Sequence, residues 1–155
     1  MALVAIFTIG RLGHPYEHPA SREFYEVGFR VMRQANFLGD FIKEVSPDGV
    51  TIPDGTYKGN GSPVLTLTVW KNLQSLYRFT YAGRHKQAIR DRHKWVESYH
   101  KKQPTYVVWW TENIKEVSWE EAFKRYNFFI QNGPTSFAFD FKHAYDEVGQ
   151  PFLIE

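Results

Sequence analysis

Apolar and polar residues follow one another along the chain in patterns that predict alternating strands and helices. Residues 2–8 and 64–70 are β-rich runs that are apolar at both alternating positions, which predicts strands buried on both faces. Between 24 and 35, apolar residues recur every three or four positions, as in an amphipathic helix. Further strands are expected at 37–45 and 106–110, the second of which is short and rich in aromatic residues.

The other helices are predicted from periodicity and from the residues at their ends. A long second helix is expected over 72–96, with Gly83 as a weak point because glycine lowers helix stability. A third helix begins after Ser118, which opens a capping box, and ends at 132–134, where an Asn-Gly-Pro sequence stops it. The predicted apolar face of this third helix consists of Trp119, Ala122, Phe123, Tyr126 and Ile130.

With a short fifth strand at 137–141, the predicted order is β-α-β-β-α-β plus an added C-terminal helix and strand. That order is typical of a ferredoxin-like α+β domain, here over residues 1–145 with 146–155 as a tail. Right-handed crossovers place both main helices on one face of the sheet, although the strands are apolar on both. We therefore expect a homodimer whose partner sheet covers the open face. The alternative is that the third helix and the tail cover it.

Composition limits the classes of partner. The chain has 155 residues, a net charge of +2 and no cysteine. The small charge argues against nucleic acid and anionic membranes as partners, and the lack of cysteine excludes disulfides, thiolate metal sites and cysteine nucleophiles. No apolar run is long enough for a bilayer, and the first residues lack the basic region of a secretory signal, so a cytoplasmic location is expected. The aromatic content of 17% fits either a bulky core or an aromatic-lined cavity.

Four segments resemble an uncharacterised bacterial family, domain of unknown function 3291. They are GRLGHPYEHP at 10–19, the stretch 70–95, YVVWW at 106–110 and NGPTSFAFDFK at 132–142. The resemblance covers nearly the whole chain. That family in turn resembles the dimeric α+β barrel group, which includes cofactor-free quinone-forming monooxygenases, lactone isomerases and heme-binding enzymes. The resemblance implies a dimeric α+β barrel, and it carries no catalytic residue onto a numbered position of this chain.

The helix predicted at 72–96 carries the candidate chemistry. Projected at about 100° per residue, it places Arg84, His85 and Arg92 within a stripe of otherwise apolar and aromatic residues: Leu73, Tyr77, Tyr81, Ala88, Trp95 and Val96. Buried charges need partners, so the arginines pair either with acidic residues of the fold or with a carboxylate or phosphate of a ligand. His85 is a packed histidine, a proton acceptor for an enol or phenol, or an axial heme ligand beside an arginine-bound propionate.

Three further residues join the candidate ligand-binding set of Tyr77, Tyr81, Arg84 and Arg92. Trp70 and Trp95 suit a core as well as a substrate platform. His14 lies four residues before His18, but both flank prolines in a loop, so they do not share a helix face as zinc ligands would. A structural role at the helix start is the alternative for His14.

Three functions therefore remain open. The leading hypothesis is a small-molecule enzyme that binds an apolar, aromatic or conjugated substrate, with His85 as catalytic residue for a cofactor-free oxygenation, isomerisation or cyclisation. The second is a heme protein that uses the same cavity, and the third is a non-catalytic binding or sensor module. Neither a phosphate loop nor a serine-hydrolase elbow occurs in the sequence, so nucleotide cofactors and that hydrolase chemistry are not expected. No divalent metal is expected either.

Overall fold

The structure is a computed structural model that describes residues 2–97 and 103–154. The elements in chain order are β1 (Leu3–Arg11), α1 (Pro19–Asn36), β2 (Phe41–Glu44), β3 (Pro63–Trp70), α2 (Leu73–Thr80), α3 (Gly83–Asp91), β4 (Tyr106–Thr111), α4 (Trp119–Asn132), β5 (Ala144–Tyr145) and β6 (Pro151–Phe152). Short 3-10 helices occupy Arg92–Lys94, Ile114–Glu116 and Phe141–His143. Among the described residues, no helix combines the length and the apolar character needed to cross a membrane.

Strands β1 to β4 form one antiparallel sheet in the order β2-β3-β1-β4. β1 is central, and its residues pair with β3 on one side and with β4 on the other. β2 is a short edge strand whose pairing with β3 is irregular between Phe41 and Lys43. The predicted α+β class is therefore confirmed, with a four-stranded antiparallel sheet and helices.

Each face of this sheet is buried by helices of the same chain. Because side chains alternate along a strand, β1 presents Phe7 to one face and Ile6 to the other. On the first face, Phe123 and Tyr126 of α4 pack edge-on against Phe7, with ring centroids 5.5 and 5.3 Å away. On the second face, α1 and α2 supply buried apolar side chains, among them Ala35, Leu73 and Leu76.

The chain itself thus covers the face that was expected to be open. α4 is 14 residues long and buries four side chains, Ala122, Phe123, Tyr126 and Phe129. Beside it, the connection between β2 and β3 packs Val45, Val50, Ile52 and Tyr57 against the same core. Of the alternative considered above, the third helix does cover this face, whereas the C-terminal tail packs against the other core through Ile154. The homodimer remains a prediction, but an open sheet face no longer supports it.

The helix predicted over 72–96 is two helices. α2 ends at Thr80, and α3 begins at Gly83, whose φ of +54° is a value that glycine adopts far more readily than other residues. Ala82 precedes α3 in an extended conformation and gives it no side-chain cap. Gly83 therefore breaks the helix, and the phase on which the predicted stripe depended changes there.

The strand predicted at 137–141 does not form. Only Phe139 bridges β4, through two backbone hydrogen bonds of 2.8 and 2.9 Å with Val108, before the chain enters the 3-10 helix that starts at Phe141. β5 and β6 instead pair as a separate two-stranded sheet. This pairing joins residues 151–152 to 144–145, across the predicted end of the domain at 145.

The burial of α4 generates a stability test. Phe123→Ala should lower the free energy of unfolding by about 3–5 kcal/mol, because removing this ring, which is only 6% exposed, leaves a cavity against Phe7. Ile130→Ala is the matched control on the same helix. Ile130 was predicted to share the apolar face, but it is 51% exposed, so its loss should cost less than about 0.5 kcal/mol. Urea unfolding measures both variants, and equal losses would contradict the packing of α4.

Candidate functional site

Residues 81–96, here called the arch, cross the face of the sheet that α1 and α2 cover. Contacts with the rest of the fold hold both ends of the arch. At the start, the Tyr81 ring packs edge-on against Phe141 with centroids 5.9 Å apart, and Phe141 packs against Tyr106 of β4 at 5.2 Å. At the end, Val96 bridges Leu12, just beyond β1. Between these anchors, none of the side chains of α3 or of the 3-10 helix after it is fully buried. The arch is thus held mainly by its ends.

The sheet beneath the arch carries a pair of threonines, Thr8 and Thr66, which are cross-strand partners on β1 and β3. Their hydroxyls hydrogen-bond each other, and Thr8 also pairs with Tyr106 of β4. Thr66 lies beyond the part of β3 that pairs with β2 and is exposed, whereas Thr68, in the next row, is buried and accepts from Trp70. A polar, solvent-accessible floor at this position indicates a space between the arch and the sheet.

α1 forms a wall along this space. Phe24 packs edge-on against Trp95 at 6.0 Å, and ten residues later the Gln34 amide lies 3.3 Å from the place of a Cβ on Gly83. α1 and the arch therefore run side by side in opposite directions. Gly28, midway between these contacts and one helical turn after Phe24, has no atom within 4 Å of the place of a Cβ. We call the open space between α1, the arch and the threonine floor the helix–sheet cleft.

His85 lies near the start of the arch, and one nitrogen of its ring is hydrogen-bonded. Its Nδ1 is 2.9 Å from the Thr80 carbonyl oxygen. Since a carbonyl can only accept, Nδ1 carries the proton and Nε2 is the basic nitrogen of the neutral ring. The ring packs on Phe79 at 5.1 Å, and Phe79 packs on Trp70 at 4.9 Å. Burial lowers the pKa of His85, against the opposing effect of the Thr80 hydrogen bond, which keeps the ring neutral and able to accept a proton near pH 7.

Two tyrosines at the same end of the arch, Tyr81 and Tyr106, have pKa values that are shifted in the opposite direction from that of His85. Burial raises the pKa of Tyr106 and that of Tyr81, where the neighbouring Tyr77 adds to the effect. The Tyr106 hydroxyl also accepts the backbone N–H of Phe141 at 3.1 Å. Both phenols therefore stay protonated near pH 7 and are available as hydrogen-bond donors rather than bases.

Residues 3–152 match the family described as Domain of unknown function (DUF3291). The chain belongs to this family. The resemblance inferred from the sequence is thereby confirmed at the level of the family. Neither the curated proteins nor the solved structures include a match, so an activity of this DUF3291 protein has to be argued from the cleft.

Five of the predicted site residues lie on the arch: Tyr81, Arg84, His85, Arg92 and Trp95. Tyr77 of α2 lies beside it and packs against Tyr81 at 4.9 Å. Trp70 belongs instead to the core, where it is 1% exposed and donates its indole N–H to Thr68 at 3.0 Å.

Three of the predicted residues lie on the surface. Arg84 and Arg92 are exposed, so the expectation that they share a buried stripe is wrong, because the helix is interrupted at Gly83. His14 is also exposed and stacks on His18 with ring centroids 4.0 Å apart. His18 in turn caps α1 by accepting the backbone N–H of Ala20 through Nδ1, so the pair serves the helix start.

Sequence reasoning missed the residues that make the cleft: Thr8, Thr66, Tyr106 and Gly28. A usable signal was present, because threonines interrupt the apolar alternation of two central strands and a glycine interrupts the apolar stripe of α1. The sequence-based prediction assigns each of these residues to a regular strand or helix and does not interpret it as an interruption of the apolar pattern.

Other surface features of this DUF3291 protein lie away from the cleft. One groove of about 340 Å³ runs between residues 50–53 and the start of α4, and another of about 280 Å³ lies beside Trp110 and Asp146. Within residues 2–97 and 103–154, no group of three or more histidine, aspartate or glutamate side chains is placed to hold a metal ion.

The lowered pKa of His85 predicts how stability changes with pH. In the unfolded chain the imidazole takes a proton near its ordinary pKa of 6.5, whereas in the folded protein it resists protonation. The free energy of unfolding should therefore fall as the pH drops below about 6.5, until the folded-state pKa is also passed. His85→Asn, whose amide can still donate to Thr80, should lose less stability between pH 7 and pH 5 than the wild type. Urea unfolding at both pH values measures this, and identical losses would argue against a buried neutral imidazole.

Proposed function

We propose that this DUF3291 protein binds an apolar, aromatic or conjugated small molecule in the helix–sheet cleft and converts it with His85 as the proton acceptor. The observation that carries the proposal is the exposed Thr66 hydroxyl beneath the arch, together with the open space beside Gly28. A fully packed helix layer would fill that space and would cover Thr66. A ligand-binding cleft accounts for both features.

The chemistry follows from the protonation states around the start of the arch. Nε2 of His85 would take a proton from an enol or phenol hydroxyl or from a carbon next to a carbonyl, and the electron pair would remain on the substrate as an enolate or phenolate. The protonated hydroxyls of Tyr81 or Tyr106 would donate to the oxygen that becomes negative. In an isomerisation, the same proton returns from His85 to another substrate atom. In a cofactor-free oxygenation, the electron-rich anion reacts with dioxygen.

The topology supports a finer assignment of the fold. The sheet order β2-β3-β1-β4, with α1 and α2 on one face, is that of a ferredoxin-like domain. We propose that the protein belongs to that group and, through it, to the relatives of dimeric α+β barrels.

Filling the cleft tests the binding site directly. Gly28→Phe should abolish saturable binding of the fluorescent probe 8-anilinonaphthalene-1-sulfonate, because the new ring occupies the space beside α1. Gly28→Ala is the control, and it should bind like the wild type. Both variants should be at least as stable as the wild type, since glycine within a helix costs about 0.8–1 kcal/mol relative to alanine. A Gly28→Phe protein that is destabilised and still binds the probe would show that the space is absent.

His85→Asn tests the catalytic role. A panel of phenols and 1,3-dicarbonyl compounds is incubated with the protein, and ultraviolet–visible spectra and oxygen uptake are recorded. Turnover by the wild type should fall at least a hundredfold in His85→Asn, in line with the loss of a general base, while probe binding stays unchanged. If the wild type binds the fluorescent probe but converts no compound of the panel, the result would favour the non-catalytic binding or sensor module.

Heme is the second candidate ligand. One feature suits it, because a histidine whose Nδ1–H is held by a carbonyl presents Nε2 as axial ligands do. The surroundings do not favour it, because α1 runs close beside His85, with the Gln34 amide 3.3 Å from the place of a Cβ on Gly83, and Arg84 and Arg92 are exposed rather than turned toward a propionate. We therefore derive no step through heme. Titration with hemin should produce no Soret shift that depends on His85.

A further inference from the structure

The buried indole N–H of Trp95 differs from those of other tryptophans in this chain. Three of them donate to an oxygen within the fold: Trp70 to Thr68, Trp110 to Tyr145 and Trp119 to Ser46, at 2.7 to 3.0 Å. Trp95 is only 3% exposed, yet its Nε1 has no hydrogen-bond partner among the residues that the structure describes. Buried N–H groups are nearly always paired, so this exception calls for an acceptor from elsewhere.

The position of Trp95 connects this N–H to the cleft. The residue ends the arch, packs against Phe24 of the α1 wall, and immediately precedes Val96, which rejoins the sheet. A phenylalanine would give an apolar ring here without an unpaired donor. The cost of leaving the donor unpaired in the free protein is recovered only if a ligand supplies an acceptor.

A ligand can reach this donor if the arch moves. No side chain of α3 or of the following 3-10 helix is fully buried, and α3 starts without a side-chain cap. Segments with few buried contacts open at low free-energy cost. α3 is therefore the part of the helix layer best able to move, and its displacement would open a path to the indole of Trp95, whose backbone stays bonded to Gly13.

The charge near Trp95 narrows the class of acceptor. Two residues further on, Glu97 also has a buried carboxylate oxygen, Oε2, without a hydrogen-bond partner in the described part of the chain. A second negative group nearby would be repelled by it. A neutral carbonyl oxygen avoids this repulsion and still accepts from an indole N–H.

We infer that Trp95 is the specificity-determining residue of the cleft and that its indole N–H binds a neutral carbonyl oxygen of the ligand. The inference rests on the proposed binding function. It narrows the ligand from any apolar or conjugated molecule to one that carries an uncharged ketone, aldehyde, ester or amide group at the end of the cleft away from His85.

A pair of substitutions tests whether the donor is unpaired in the free protein. Trp95→Phe and Trp70→Phe remove the same indole from two almost fully buried sites, but only Trp70 has a partner within the fold. The midpoint of urea unfolding should fall clearly for Trp70→Phe and much less for Trp95→Phe. Equal falls would overturn the inference, because they would mean that the Trp95 N–H is already satisfied inside the protein.

Nuclear magnetic resonance tests the ligand side with a matched pair of probes. Acetophenone and ethylbenzene have nearly the same shape and differ in a carbonyl group. The Trp95 indole proton, identified by its absence from the Trp95→Phe spectrum, should move downfield with acetophenone and not with ethylbenzene. Trp95→Phe should weaken acetophenone binding about tenfold and leave ethylbenzene binding unchanged.

The outcomes separate this inference from the proposed function. If Gly28→Phe blocks both probes but the carbonyl has no effect on the Trp95 signal, the cleft stands and the role of Trp95 is overturned. If Gly28→Phe blocks neither probe, the proposed cleft itself fails, and the inference fails with it.

Discussion

The structure depends on the double burial of β1. This strand is hydrogen-bonded to β3 on one edge and to β4 on the other, and its side chains point alternately into two separate apolar cores. One chain must therefore supply a covering layer for each face of the sheet. α4 provides the layer against Phe7, and α1 and α2 provide the layer against Ile6. How completely each helix layer covers its face of the sheet determines where the other elements lie.

The cleft exists because the helices do not completely cover the sheet face on which α1 and α2 lie. α2 packs over the rows that contain Trp70 and Ile6, which are buried together with Thr68. The chain then breaks at Gly83 and continues as the arch over the row of Thr8 and Thr66. Because both of these residues are polar, the opening leaves little apolar surface of this row in water. The composition of the strands therefore suits an opening at this position.

Local patterns predicted most of the elements, and tertiary contacts decided the rest. Ser118 accepts the N–H of Glu121, as the capping box predicted, and the strand alternation correctly separated the two faces of β1. The long helix was wrong because apolar spacing continues across Gly83, whereas its positive φ is a property of the folded backbone. The Thr80–His85 hydrogen bond spans five residues across that break, so no helical projection could have revealed it. That α4 would cover the face that carries Phe7 also depended on packing, which a count of elements does not capture.

Burial explains why His85 and the nearby tyrosines can take complementary roles. Removal from water disfavours the charged form of each group, so it lowers the pKa of His85 and raises those of Tyr81 and Tyr106. A single physical cause thus keeps the imidazole a base and the phenols donors over the same range of pH. Sites in which environment pushes pKa values apart in this way suit proton transfer. The proposed proton transfer uses these same states, with the neutral imidazole as the acceptor and a protonated phenol as the donor.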